Sequence, residues 1–251
     1  MYRKSASAVL AAVRMLFKSW LTLPLMIAVY GAFLLAVYLF VSTREATVAQ
    51  VILTFTVMIA APLLFFVLQS ASVNYTTSSS GLVRKTLHDT AKLIAVTLPV
   101  IGITLLAVYL VGKLQGGLAV NPETSQPSSP NTLTTLIVVR YLLIGVVAPL
   151  ITIQLWIATS TRGLRAMLRN LRETLARAFA PQAVFIFAFG FLIFAVAPYF
   201  LMIQTIETKR AWLEVSLLTA RVVVSALLVL LGWVITVGSL SIINIRPEFQ
   251  K

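Results

Sequence analysis

Long apolar stretches separated by short polar segments dominate the sequence. Six of them approach or exceed the roughly 20 residues that a helix needs to cross the hydrocarbon core of a membrane, and each is bounded by charged or turn-forming residues. Open sheet edges are not stable in lipid, so these stretches favour helices. We predict an all-α, polytopic integral membrane protein with six transmembrane helices, at residues 21–41, 49–70, 93–111, 136–160, 183–204 and 222–243.

A basic segment with helical periodicity precedes each odd-numbered span, within residues 4–20, 82–92 and 162–179. In the third segment, Arg165, Arg169 and Arg172 are four and three residues apart, so they share one face of a helix. The apolar residues share another face: Leu164, Met167, Leu168, Leu171, Leu175 and Phe179. This pattern is typical of helices that lie in the membrane interface. We predict three such cytoplasmic amphipathic helices.

The odd-numbered spans share the motif G-x-x-[LI]-[LF]-A-V, which begins at Gly31, Gly102 and Gly190. Similarity that recurs along a chain indicates internal repeats, and the repeated unit here is an amphipathic helix followed by a helical hairpin. We predict a single membrane domain, residues 1–251, built from three tandem helix-hairpin repeats at 1–73, 79–160 and 161–246. The alternative is a chance match, because Leu, Ala and Val dominate every span.

The distribution of lysine and arginine predicts the orientation. Fourteen of these residues lie at the two termini and in the connections after the second and fourth spans, whereas four lie in the other connections. Positively charged short segments stay in the cytoplasm, so we expect both termini there. The Pro- and Ser-rich stretch at 121–132 predicts a flexible outer loop, residues 114–132. An alternative for the basic, acid-free N-terminal segment is a mitochondrial transit peptide.

Composition argues against most enzymatic functions. Hydrophobic residues make up 59% of the chain and charged residues 11%, whereas charged residues make up about 25% of soluble domains. The chain has no cysteine, one histidine (His88) and one aspartate (Asp89), and it lacks the common nucleotide-binding, zinc-protease and serine-hydrolase motifs. We interpret His88 and Asp89 as part of a solvated helix surface. We expect no enzymatic activity, no cofactor and no metal site.

Two groups of arginines are candidate anion-binding residues. Arg140 and Arg221 lie inside or at the edge of even-numbered spans, where bidentate guanidinium contacts would bind an anionic headgroup or substrate. The alternative is that both mark the outer interface. The second group is the third basic segment, which is a candidate for docking of lipid or of a protein partner: Arg162, Arg165, Arg169, Arg172 and Arg177.

The repeated basic helices, the hairpins and the glycine motif together resemble the six-helix membrane domain found with some bacterial glycerophosphoryl diester phosphodiesterases, and its stand-alone relatives. The resemblance concerns the architecture of nearly the whole chain. It implies a multi-pass protein of the bacterial plasma (inner) membrane. Because no phosphodiesterase domain is present, no catalytic residue carries over.

These observations favour a non-enzymatic membrane protein that acts as a subunit or scaffold of a membrane complex and binds anionic lipid. The expected partners are membrane lipids and a further protein or a second copy. A nucleic-acid partner is not expected, since the net charge of +13 is dispersed over short segments. The alternative is a transporter or permease subunit for an amphiphilic or anionic substrate, with a polar cavity lined by Arg140, Arg221, Gln154 and Thr236.

Overall fold

The computed structural model of the chain describes residues 2–18, 21–43, 47–77, 81–119, 130–204 and 210–245. Within these ranges the chain forms helices and short turns, and it contains no strand. The helices are α1 (Tyr2–Lys18), α2 (Thr22–Ser42), α3 (Val48–Asn74), α4 (Leu82–Ala119), α5 (Pro130–Leu142), α6 (Ala148–Arg162), α7 (Leu164–Arg169), α8 (Leu171–Ala178), α9 (Pro181–Phe191), α10 (Ala197–Ile203) and α11 (Ala211–Ile245).

The predicted all-α, polytopic architecture is confirmed. Six helical stretches of the described chain are long and apolar enough to cross a membrane, at Thr22–Ser42, Val48–Asn74, Leu82–Gly116, Thr134–Arg162, Pro181–Ile203 and Trp212–Ile245. Most extend beyond the predicted spans, because the hydropathy pattern marks only the apolar part of a helix. The last stretch has 34 residues, which is about 51 Å of helix against a hydrocarbon core of about 30 Å.

The second basic segment is not a separate amphipathic helix, contrary to the prediction. Residues 82–92 form the first turns of α4, which continues without a break through the third span to Ala119. No glycine or proline lies between Leu82 and Pro99, so nothing in this stretch ends the helix. The break lies before the segment instead, at Gly81, whose φ is +77°.

The third basic segment forms two short helices, α7 and α8, in place of the single amphipathic helix that was predicted. Gly163, with φ of +83°, ends α6 and begins α7, and this left-handed backbone conformation favours glycine. Asn170 separates α7 from α8. Ala180 is extended before Pro181, as the residue before a proline tends to be, and this ends the segment.

The predicted flexible outer loop at 114–132 is helical at both of its ends. Residues 114–119 belong to α4 and residues 130–132 belong to α5. Residues 120–129 lie outside the described part of the chain. The polar composition of this stretch therefore overestimated the loop at both ends.

The chain forms two compact units, one of Met1–Thr90 with Ala180–Lys251 and one of Ala91–Phe179. In the first unit, α11 packs against α1, α3, α9 and α10. Two glycines permit close approach: a Cβ on Gly238 would collide with the Tyr75 side chain, and one on Gly190 would collide with Thr236. Small residues serve this purpose at helix contacts in membranes.

Polar side chains also connect the helices of the first unit. The Trp233 indole donates to Gln69 Oε1 at 2.6 Å, joining α11 to α3. The Tyr75 hydroxyl donates to the carbonyl oxygen of Val234 at 3.3 Å, and burial raises the pKa of this phenol. By contrast, Thr236 donates to the Gly232 carbonyl of its own helix.

Two π-helical turns interrupt the apolar helices, at Leu143–Val147 and Leu192–Val196. Each is followed directly by Ala-Pro, at Pro149 and Pro198. A proline inside a helix has no N–H and its ring clashes with the carbonyl four residues earlier. The wider π turn accommodates this clash within a continuous helix.

The three motif glycines have different surroundings. Gly31 and Gly102 have open space where a Cβ would lie, whereas Gly190 contacts Thr236. The boundaries of the two units also differ from those of the proposed repeats. The internal repeat stays a prediction from sequence.

Candidate functional site

The second unit contains an apolar groove of about 560 Å³, which we call the α4–α8 groove. It lies between one side of α4, the π turn with α6, and the surface helices α7 and α8. Its lining residues are Ala95, Val96, Pro99, Val100, Ile103, Thr104, Ala107, Leu143, Val147, Ala148, Ile151, Leu155, Leu164, Met167, Leu168, Leu171 and Leu175.

The groove has a packed floor and open edges. Val96, Leu155 and Met167 are buried and form one core cluster, which is the floor. Ile103 and Leu168 are 69% and 58% exposed and lie at the edges. The groove is therefore a concave surface with a fixed base rather than a closed cavity.

The lining offers no free polar group. Thr104 is the one polar residue that lines the groove, and its hydroxyl donates to the Val100 carbonyl at 2.8 Å. The donor of this hydroxyl is therefore used within α4, and the remaining lining side chains are apolar. The α4–α8 groove is therefore suited to a hydrocarbon ligand.

A hydrogen bond fixes the base of this groove. The Trp156 indole on α6 donates to Thr97 Oγ1 on α4 at 2.7 Å, and both side chains are buried. Short side chains leave the groove open above this hydrogen bond, since the lining includes Ala95, Ala107 and Ala148. The groove thus depends on a firm α4–α6 contact and on short side chains along it.

The surface helices α7 and α8 form one wall of the groove. The residues of that wall belong to the apolar face predicted from the sequence. Leu164, Met167, Leu168, Leu171 and Leu175 all line the groove. The turn at Gly163 lets α7 leave the direction of α6. Phe179, the sixth residue of the predicted face, is half exposed and does not line the groove.

Three arginines follow groove-lining leucines directly in the sequence: Arg165 after Leu164, Arg169 after Leu168, and Arg172 after Leu171. All three are exposed. They form no ion pair with any residue that the structure describes. The same short segment therefore carries both these unpaired guanidinium groups and the leucines of one groove wall.

The other two arginines of this segment are already paired. Arg177 Nη2 donates to Glu173 Oε1 at 2.6 Å, and Arg162 Nη1 lies 3.9 Å from Glu173 Oε2. Glu173 is the one acid between Arg162 and Arg177. Two of the five positive charges are thus partly compensated, and three are available to an external anion.

The structure places Arg140 and Arg221 in different units. Arg140 is exposed on α5. Arg221 on α11 donates to the carbonyl of Gln204, the residue that follows α10. A cation at a helix C-terminus is stabilised by the helix dipole, so this contact caps α10.

The other residues named for a transport path are placed as follows. Gln154 and Thr236 are both buried, in different units. Glu214, two turns before Arg221, forms no ion pair with it, because two turns separate the residues by about 11 Å along the axis. These positions do not test whether Arg140 and Arg221 bind an anion.

One residue departs from the sequence interpretation. Asp89 is only 3% exposed, and Asn74 on α3 donates to its Oδ2 at 3.2 Å. Ser70 accepts a second hydrogen bond from Asn74 at 3.3 Å. His88 is exposed as expected, but Asp89 is part of a buried polar cluster rather than a solvated surface.

The groove itself was not predicted. The apolar periodicity of residues 164–175 indicated a buried face, but the membrane-spanning parts of α4 and α6 are apolar on most sides and do not mark a concave side. In the described part of the chain, no three His, Asp or Glu side chains are close enough to hold a metal ion.

Comparison of the chain with protein-family models, with curated proteins and with solved structures found no match. The resemblance to the phosphodiesterase-associated membrane domain therefore stays a prediction.

Proposed function

We propose that this integral membrane protein has no enzymatic activity, binds anionic lipid through α7 and α8 on the cytoplasmic side of a bacterial plasma membrane, and acts as a subunit or scaffold of a membrane complex. The observation that carries the proposal is the combination of three unpaired, exposed arginines with an apolar wall on the same short segment. Amphipathic surface helices of this kind bind lipid by both faces.

The electrostatic attraction between these arginines and anionic lipid is large enough to select such lipid. Each basic residue near an anionic leaflet contributes about 1 kcal/mol, and the attraction decays within a Debye length. Three free guanidinium groups at Arg165, Arg169 and Arg172 therefore give about 3 kcal/mol. This corresponds to a preference of roughly two orders of magnitude over a neutral lipid.

The test is the lipid content of purified protein. The triple variant Arg165→Gln, Arg169→Gln, Arg172→Gln should retain less phosphatidylglycerol than the wild type after gentle solubilisation, as counted by native mass spectrometry. The matched control is Arg14→Gln, Lys18→Gln, Arg84→Gln, which removes three other exposed charges from the side expected to be cytoplasmic. Equal retention in the two triple variants would contradict the proposal.

The subunit role needs a separate measurement. Cross-linking in native membranes should capture the chain in one reproducible complex, and blue native electrophoresis should show that complex at the same size. If the chain migrates only as a monomer under both conditions, the scaffold part of the proposal is wrong, while the lipid-binding part is unaffected.

The π-helical turns favour a second candidate, a transporter or permease subunit for an amphiphilic or anionic substrate. Such turns recur at functional sites, and a non-ideal hydrogen-bond pattern makes a helix easier to bend. Reconstituted protein should then move a fluorescent anionic amphiphile across the bilayer, and Arg140→Gln should slow the movement. Absence of any flux in liposomes that contain correctly oriented protein would exclude this candidate.

A further inference from the structure

We propose that the α4–α8 groove binds one acyl chain of the same anionic phospholipid whose headgroup contacts Arg165, Arg169 and Arg172. This inference rests on the proposed function, and it makes that lipid a defined component of the protein instead of one molecule in a diffuse layer.

The lining of the groove selects the chemical class of the ligand. Its side chains are apolar except for Thr104, whose hydroxyl donates to the Val100 carbonyl. A polar headgroup in the groove would lose its hydrogen bonds without replacement. An acyl chain has none to lose, and it gains contacts with a floor that is already packed.

The size and position of the groove agree with such a ligand. A volume of about 560 Å³ lies within the range of about 300–1,000 Å³ for small-molecule sites. Two of its walls, α4 and α6, belong to helices that are apolar enough to cross the membrane. The molecules that surround these helices are lipids, so an acyl chain is the occupant with the easiest access.

The position of the arginines argues for an anionic lipid over any other hydrocarbon. Leu164, Leu168 and Leu171 line the groove, and the next residue in each case is an unpaired arginine. Consecutive residues of a helix point about 100° apart, so these arginines flank the leucine wall and do not line the groove. In the proposed binding mode the acyl chain lies against the leucines and the phosphate lies at that flank. Guanidinium groups bind phosphate by paired hydrogen bonds, and a neutral occupant would leave these charges without a partner.

Short side chains make the groove deep enough for a chain. Ala95 and Ala107 lie twelve residues apart on α4, which is about 18 Å along the helix. A phenylalanine at both positions would fill the groove near its two ends. Both alanines are at least partly exposed, so the larger side chains have room and the fold should tolerate them.

The experiment uses purified wild-type protein with phosphatidylglycerol that carries a photoreactive diazirine on one acyl chain. Peptide mapping should place the cross-links on α4, α6 and α7, at residues that line the groove. Unlabelled phosphatidylglycerol should compete for this labelling, and phosphatidylcholine should compete severalfold less well.

Variants distinguish this inference from the proposed function. Ala95→Phe, Ala107→Phe should lose most of the groove labelling, whereas the control Ala28→Phe, Ala32→Phe, at exposed positions on α2, should keep it. If the double groove variant does not fold, Ala95→Leu, Ala107→Leu gives the same comparison with a smaller change.

Three results would overturn the inference. Labelling could avoid the groove, or it could be equal for the groove and control variants. Either result would contradict the acyl-chain site and would leave the arginine-dependent lipid retention unaffected. Equal competition by phosphatidylcholine would show a general lipid contact. Cross-links between two copies across the groove would assign it to an interface. Failure of the arginine variants alone would instead contradict the proposed function.

Discussion

At the scale of single residues, Glu173 controls how much positive charge α7 and α8 present. It pairs with Arg177 and lies near Arg162, while its own side chain is 53% exposed. Exposed ion pairs contribute only about 0–1 kcal/mol to stability. The larger effect of Glu173 is therefore on the electrostatic potential of the segment rather than on its folding.

Replacement of Glu173 by Gln should strengthen binding to anionic vesicles. The substitution releases Arg162 and Arg177 from Glu173, so five guanidinium groups instead of three are available to an anionic headgroup. Native mass spectrometry should then show a higher count of bound phosphatidylglycerol, and the gain should shrink at high salt. Glu214→Gln, which removes one exposed carboxylate from α11, is the matched control and should change nothing. Weaker binding by the Glu173 variant would contradict the assignment.

The sequence allowed prediction of some residue environments and not of others. Helical spacing predicted exposed arginines at residues 165–172, and the structure has these side chains exposed. The single helix on which that spacing was based is divided at Asn170. The burial of Asp89 depends on Asn74, fifteen residues earlier on another helix. Such a contact is set by packing between helices, which local periodicity does not encode.

At the scale of elements, the shape of the α4–α8 groove depends on where helices break. Gly163 has positive φ and redirects the chain between α6 and α7, whereas α4 has no break between its basic and apolar parts. The second and third basic segments, residues 82–92 and 162–179, have similar patterns of charge. The prediction of three amphipathic helices treated both regions alike and was therefore wrong for the second.

Replacement of Gly163 by Ala should impair lipid binding although it changes no arginine. An L-residue at φ of +83° and ψ of 160° costs about 1–3 kcal/mol, so the turn should shift and misplace the leucine wall. The bound anionic lipid should decrease in native mass spectrometry. Gly102→Ala is the control, because Gly102 is helical with open space around it, and lipid retention there should stay normal. Unchanged retention in the Gly163 variant would show that the turn does not shape the site.

At the scale of the whole molecule, hydropathy predicted the membrane architecture well, since burial in lipid depends on length and apolarity alone. The division into two compact units was not predicted. It reflects contacts such as Trp233 with Gln69 and Trp156 with Thr97, which join residues far apart in sequence. Similar strings at Gly31, Gly102 and Gly190 do not share one environment, so sequence similarity alone did not identify equivalent packing.

The orientation in the membrane is a prediction from charge that labelling can test. The chain has no cysteine, so single cysteines report without background. A cysteine at Ser128 should react with an impermeant maleimide added to intact cells, whereas one at Ser79 should react only after permeabilisation. Both positions lie outside the described residues. The reverse pattern would place α7 and α8 on the outer side and contradict the charge argument.

The most direct test of lipid binding by α7 and α8 is the thermal stability of purified protein during a lipid titration. A ligand that binds only the folded state raises the Tm as its concentration increases. Phosphatidylglycerol should therefore raise the Tm of the wild type more than phosphatidylcholine does, and the triple variant Arg165→Gln, Arg169→Gln, Arg172→Gln should lose this difference. An equal, headgroup-selective rise in the wild type and the triple variant would contradict the account.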